Sequence, residues 1–154
     1  MQAGNLCVRE VVTVDPGETL TQAAHLMRQH HIGLLVVVEA DGAGPDLQVI
    51  GVLTDRDIVT AVIARKVDLD AVFVADVMTR CPLLVSEASS LDSVLYQMRE
   101  AGVRRVPVVG FRNELVGVLS LDDVLDEMAR MLADVAGAIR RGRRVERTVR
   151  PERP

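Results

Sequence analysis

Gly51-Val52-Leu53-Thr54-Asp55-Arg56-Asp57 returns as Gly117-Val118-Leu119-Ser120-Leu121-Asp122-Asp123, so one run of glycine, two apolar residues, a hydroxyl and, three positions on, an aspartate is present twice. The surroundings repeat as well. A shift of 71 positions lays Val14 on Val85, Leu20 on Leu91, Met27 on Met98, Arg28 on Arg99 and Val37-Val38 on Val108-Val109, whereas the two Gly-Val-Leu runs match at a shift of 66. The chain is therefore an internal duplication, with five extra residues in the loop ahead of the first motif. Each unit has about 55 to 60 residues, small for a body that must bury its own core, and two units are too few for a solenoid. The halves are expected to pack on each other.

Leu20, Ala23, Ala24 and Met27, and likewise Leu91, Val94, Leu95 and Met98, fall at i, i+3, i+4 and i+7, one buried stripe of an amphipathic helix in each repeat. Thr19 with Gln22 has the form of a capping box, and Ser90 serves as the second N-cap. Short β-prone stretches, Val11 to Val14 and Leu83 to Val85, precede these helices. After them, Ile32 to Val38 with Gln48 to Leu53, and Val103 to Val109 with Leu115 to Leu119, read as hairpins. The first hairpin loop, Glu39 to Leu47, contains Asp41-Gly42 and Gly44-Pro45, good turn chemistry. A second helix starts at Thr54 or at Ser120. The last one, apolar at Val124, Leu125, Met128, Leu132, Val135 and Ile139, is expected to run to about Arg141 with Gly142 near its C-cap. Each unit is thus β-α-β-β-α and the fold class is α+β. The division expected is a first repeat over 1–65, a linker over 66–75, a second repeat over 76–141 and a disordered basic tail over 142–154.

Composition narrows the function. Apolar residues make up 49% of the chain and charged residues 26%, while one Tyr and two Phe are the whole aromatic complement. The core is then Val, Leu, Ala and Met, and the scarcity of rings argues against recognition of single-stranded nucleic acid by ring stacking. The N-terminus has no apolar run of signal-peptide length, and the longest apolar stretch, Leu34 to Val38, is far too short for a bilayer, which points to a cytoplasmic protein with no membrane partner. Cys7 and Cys81 lie in no CxxC or metal-ligand spacing and are expected as unpaired, small, partly buried residues. His25, His30 and His31 have no Cys, Asp or Glu in ligand spacing, so no metal is expected, and His30-His31 suit a helix end.

Charge is divided along the chain: Arg140 to Pro154 hold seven Arg and two Glu beside an acidic body. A tail of that kind is usually solvated, and the alternative is contact with an acidic partner or nucleic acid, the latter not the expected partner. Asp122 and Asp123 are neighbours on a helix and point about 100° apart, so they do not form an acid–base pair. There is no Walker loop, no GxSxG elbow and no HExxH, and no enzyme is expected.

Thr54 with Asp57, and Ser120 with Asp123, stand in the spacing [ST]-x-x-[DE] at the turn from a buried strand into a helix, so the plain reading is a capping box. That reading explains the pair but not the glycine before it. The same groups suit a nucleotide: the helix N-terminus offers free N–H groups and a positive dipole to phosphate, a short carboxylate beside it accepts two ribose hydroxyls, and glycine lets a ligand approach the backbone.

The doubled G-V-L-[TS]-x-x-D, with Val103-Arg104-Arg105-Val106-Pro107-Val108-Val109, Asp76-Val77-Met78-Thr79 and Thr13-Val14-Asp15-Pro16, resembles a tandem cystathionine-β-synthase (CBS) domain pair, or Bateman module, over about residues 8 to 135. The resemblance implies two repeats related by a pseudo-twofold axis, a regulatory role, no required cofactor, and an adenine nucleotide (AMP, ADP or ATP) or S-adenosylmethionine bound in clefts between the repeats. It implies that Asp57 and Asp123 hold ribose hydroxyls, that Thr54 and Ser120 assist at the helix starts, that Arg104 and Arg105 meet phosphate, and that Thr13, Val14, Leu84 and Val85 border the adenine. It also implies a homodimer and a target protein. The chain departs from the pattern in having Gly33-Leu34 opposite Arg104-Arg105, Leu84 where threonine is expected, and a first entry segment, Cys7 to Val12, that reads as shorter than the second. A structural dimerisation module with no ligand is the remaining alternative.

Overall fold

The computed structural model describes residues 1–40, 47–63 and 67–149. Most of the first hairpin loop, the start of the linker at Lys66, and residues 150–154 of the basic tail lie outside the described residues. In order come β1 (Thr13–Val14), α1 (Leu20–His30), β2 (Leu34–Ala40), β3 (Leu47–Thr54), α2 (Asp55–Ile58), α3 (Val74–Val77), β4 (Thr79–Arg80), β5 (Val85–Ser86), α4 (Leu91–Ala101), β6 (Arg105–Val109), β7 (Leu115–Ser120) and α5 (Leu121–Val149). A π-helical turn over Val59–Ile63 continues α2. The strands form one sheet in the order β1-β2-β3-β4 and another in the order β5-β6-β7. In both, a parallel pair (β1 with β2, β5 with β6) lies beside an antiparallel hairpin. Both hairpins carry an irregularity at equivalent places, Val37/Val38 and Val108/Val109.

The local chemistry read from the sequence is present. Thr19 accepts from the Gln22 amide while the Gln22 side chain accepts from the Thr19 amide, closing the box that starts α1. Ser90 accepts from the Ser93 amide to start α4. Both helices end on a left-handed residue at the same place in the duplication, His31 (φ 54°) and Gly102 (φ 67°). Leu20, Leu35, Leu53 and Val74 are fully buried in the first repeat's core. Each such side chain contributes about 1.5 to 3 kcal/mol by leaving water. Between the sheets, Val36, Val38, Val49 and Val109 form a common cluster, and Gln48 bridges to Glu114, so the repeats pack through their hairpins.

The repeats also exchange their entry segments. Thr79 and Arg80 pair with Val52 and Gly51 of the first repeat, and Val8 pairs with Val118 of the second. The exchange continues upstream in matched bonds. Leu20 N donates to Val72 O as Leu91 N donates to Met1 O; Val74 N donates to Glu18 O as Ala3 N donates to Ser89 O; Ala75 N donates to Pro16 O as Gly4 N donates to Glu87 O. Every partner is displaced by the repeat shift, so Met1–Val8 is the full counterpart of Val72–Thr79. The first entry segment is therefore not shortened; it begins earlier than its sequence suggests, with a 3-10 turn over Ala3–Asn5 in the place of α3. Val74 and Met78, from the second entry, are buried in the first repeat's core.

Residues Met1–Ser120 form one compact unit, and α5 begins a second. The helix does not stop near Arg141. It continues to Val149, and Gly142, not being among the residues of positive φ, is an interior helix residue. Glycine costs about 1 kcal/mol against alanine in a helix interior, and the arginines around it are good helix formers, so the run is not broken.

Candidate functional site

At the end of β3 the Thr54 amide and hydroxyl both donate to Asp57 Oδ2, at 2.8 and 2.7 Å, and the Asp57 amide donates to Thr54 Oγ1 at 3.2 Å. The capping box is formed. These bonds use Oδ2 and the main chain, so the cap occupies one carboxylate oxygen and Oδ1 takes no part in it. Two residues back along the helix, Asp55 lies against Gly33: its amide donates to Gly33 O at 3.2 Å, and a Cβ at position 33 would stand 2.9 Å from Asp55 Oδ2. The duplication sets Arg104 opposite Gly33 and Leu121 opposite Asp55, so a bare backbone with a carboxylate in one repeat answers a cation with an apolar residue in the other.

The glycines of the motif have a reason that the sequence did not show. A Cβ on Gly51 would meet Met78 Sδ at 2.7 Å and Thr79 O at 3.0 Å; one on Gly117 would meet Cys7 Sγ and Val8 O, both at 2.7 Å. The space is filled by the exchanged entry segments, and close approach of a ligand is not needed to explain either glycine.

Thr54 and Asp57 line a cleft of about 630 Å³ together with Arg104 and Arg105. Groups from the two repeats meet there: α2 supplies Asp55, Arg56 and Asp57, the segment after α4 supplies Arg104 and Arg105, and the exchanged segment supplies Thr79, Cys81 and Pro82. Three guanidinium groups face two carboxylates in this lining, leaving an excess of positive charge for an anionic group. Leu34 stands opposite Thr54 in the β2–β3 register as Arg105 stands opposite Ser120 in β6–β7. Arg105 therefore lies beside the second motif's hydroxyl in its own sheet while lining the cleft of the first.

The remaining residues implied by the resemblance are elsewhere. Val14 and Val85 are buried core residues, Leu84 packs against the cluster between the sheets, and Thr13 is half-buried in β1, opposite Val36. None of these lines this cleft. Ser120 closes β7, and Asp123 is in the first turn of α5. Thr79, Cys81 and Pro82 were not singled out from the sequence, because only the crossing of β4 onto β3 brings them to the first repeat. Among the described residues no three His, Cys, Asp or Glu side chains are grouped to hold a metal ion, and no helix is long and apolar enough to cross a membrane.

Comparison with known proteins identifies the family and the fold. The CBS domain model matches residues 3–64 and 74–130. Hypoxic response protein 1 of Mycobacterium tuberculosis is 36% identical over 124 residues, covering 80% of this chain and 78% of that protein. The chain spans 66%, 74% and 78% of the lengths of three relatives of this kind. A solved structure of Hypoxic Response Protein I with two coordinated zinc ions superposes with a TM-score of 0.71 at 32% identity, over 82% of this chain and 98% of that one. The CBS domain pair of protein MJ0100, solved with 5-methylthioadenosine and S-adenosyl-L-methionine, superposes with a TM-score of 0.72 at 21% identity, over 85% of this chain and 98% of that one, a likeness of fold.

Proposed function

The chain belongs to the CBS domain family, and on that premise we propose that it is a regulatory, non-catalytic module that binds an adenosine-containing ligand in the cleft between its repeats. One observation carries the reading: Thr54 and Asp57 of one repeat and Arg104 and Arg105 of the other line one cleft of about 630 Å³, a size suited to a small-molecule ligand. Asp57 Oδ1 accepts from the ribose hydroxyls, and the two arginines take the phosphate or carboxylate of the ligand by charge-assisted bonds. The ligand bound to the MJ0100 pair belongs to the same chemical class. Ser120 and Asp123 form the second, quasi-equivalent motif, with Thr13, Val14, Leu84 and Val85 as the strand residues nearest the bases in the family pattern.

Regulation follows from where the ligand sits. A molecule held by both repeats favours the relative orientation that closes its cleft, and its differential affinity for that state sets the size of the response. The response passes to a target protein or through a homodimer. No cofactor is required.

The test is a thermal-shift panel of AMP, ADP, ATP, NAD and S-adenosylmethionine. At 100 times its dissociation constant a ligand adds about 2.7 kcal/mol, which is several degrees of melting temperature in a protein of this size. At least one ligand is expected to produce that shift. If millimolar concentrations of all five leave the melt unchanged, the sensing function is wrong and the motifs are caps.

A further inference from the structure

Three guanidinium groups line the cleft, and the chain supplies none of them with a counterion. Among the described residues, Arg56, Arg104 and Arg105 enter no ion pair, and their side chains donate no hydrogen bond. The two carboxylates of the same lining are turned elsewhere. Asp57 Oδ2 accepts from the Thr54 amide and hydroxyl, and Asp55 Oδ1 accepts from the Arg56 amide at 2.8 Å, so both are engaged at the start of α2. All three arginines are exposed, and the fold does not depend on pairing them.

The cations stand on two walls. Arg104 and Arg105 belong to the second repeat, whereas Arg56 belongs to the first and directly precedes Asp57. A monophosphate carries about two negative charges near neutral pH, and Arg104 with Arg105 matches it. A second phosphate adds negative charge beyond that match, and Arg56 is the cation available for it. S-adenosylmethionine runs the other way, because its sulfonium and ammonium groups enter a cleft in which guanidinium groups already outnumber carboxylates. The duplication keeps Asp57 as Asp123 but sets Asp122 in the place of Arg56, so the third cation goes with the first motif alone. We infer that the cleft takes a nucleoside di- or triphosphate, and that Arg56 is the residue that selects for the second phosphate. The cleft volume of about 630 Å³ lies in the range of pockets for small-molecule ligands.

The inference rests on the ligand-binding reading above and adds the class of ligand and the residue that selects it. Titration calorimetry of the full chain with AMP, ADP, ATP and S-adenosylmethionine separates the two. ADP and ATP are expected to bind at least about tenfold tighter than AMP, the scale of a charge-assisted hydrogen bond, with one tight event per chain and S-adenosylmethionine the weakest of the four. Arg56→Gln should bring ADP and AMP to nearly equal affinity. Arg56→Lys keeps the charge without the planar fork and should retain most of the preference. Arg104→Gln combined with Arg105→Gln should instead weaken AMP and ADP together. Because Arg56 is exposed and holds nothing in the fold by its side chain, Arg56→Gln should melt with the unaltered chain. The inference is overturned, and the ligand-binding reading left standing, by AMP binding as tightly as ADP and ATP, by S-adenosylmethionine binding tightest, by two ADP bound per chain with equal affinity, or by a preference that survives Arg56→Gln. No binding of any of the four overturns both.

Discussion

The two copies of the motif are alike up to the end of their hairpins and part company one residue later. In the first, Thr54 opens α2, which passes after Ile58 into a π-helical turn, and its charged residues Asp55, Arg56 and Asp57 line the cleft. In the second, Ser120 is followed by a helix of 29 residues whose exposed apolar positions carry a heptad spacing. Duplication has kept the strand, the glycine and the junction because the exchanged entry segments constrain all three. Past the junction the two copies differ: the first supplies the charged wall of the cleft, and the second a long helix with exposed apolar positions.

The largest test of this comparison falls on the glycines. Gly117→Ala places a methyl 2.7 Å from a main-chain oxygen, Val8 O, and from Cys7 Sγ, so the entry strand must move; Gly51→Ala meets the thioether of Met78 at 2.7 Å, which can turn aside, and a main-chain oxygen only at 3.0 Å. Denaturant unfolding should show a loss of about 2 to 3 kcal/mol for Gly117→Ala and about 1 kcal/mol for Gly51→Ala. Equal small losses would mean that the entry segments are not held where the pairing places them.

Next comes Asp57, which serves the cap and, on the present reading, the ligand. Asp57→Ala should cost about 1 kcal/mol of stability as a lost cap and weaken nucleotide binding at least tenfold, the scale of a lost charged hydrogen bond. Thr19→Ala removes a cap of the same kind at the start of α1 and should lower stability by about 1 kcal/mol without touching affinity. If both variants weaken binding alike, the effect of Asp57 is one of stability alone.

The smallest effect concerns the helix ends. His31 holds the left-handed position that Gly102 fills in the other repeat. His31→Gly should therefore stabilise the chain by about 1 kcal/mol and Gly102→Ala should cost about as much, both read from the melting temperature with ligand absent. A destabilised His31→Gly would show that the imidazole makes contributions the backbone angle does not account for.

Much of this architecture could be read from the residues. The matched pairs from Val14/Val85 to Val38/Val109 gave the duplication, the i, i+3, i+4, i+7 stripes gave α1 and α4, and Thr19 and Ser90 marked where those helices begin. The exchange of entry segments could not be read. Ala3-Gly4-Asn5-Leu6-Cys7-Val8 and Val74-Ala75-Asp76-Val77-Met78-Thr79 share no identical residue in register, and the bonds that reveal their equivalence join residues far apart in the chain. For the same reason the sequence suggests room for a ligand at the motif glycines, whereas the structure fills that room with Met78 and Cys7. Of the residues singled out for binding, Thr54, Asp57, Arg104 and Arg105 meet in one cleft because the hairpins pack together; Val14 and Val85 lie in the core, since a two-residue strand flanked by a helix and a hairpin buries what points inward.

The account stands or falls on whether one ligand is held by both repeats. Titration calorimetry of the nucleotide that gives the largest thermal shift, against the unaltered chain, Asp57→Ala and the Arg104→Ala, Arg105→Ala double variant, measures this most directly. The prediction is that both variants, altered in different repeats, weaken the same binding event at least tenfold, the scale of lost charge-assisted hydrogen bonds. Loss in one with full affinity in the other would show that the ligand belongs to a single repeat and that the shared cleft is not its site.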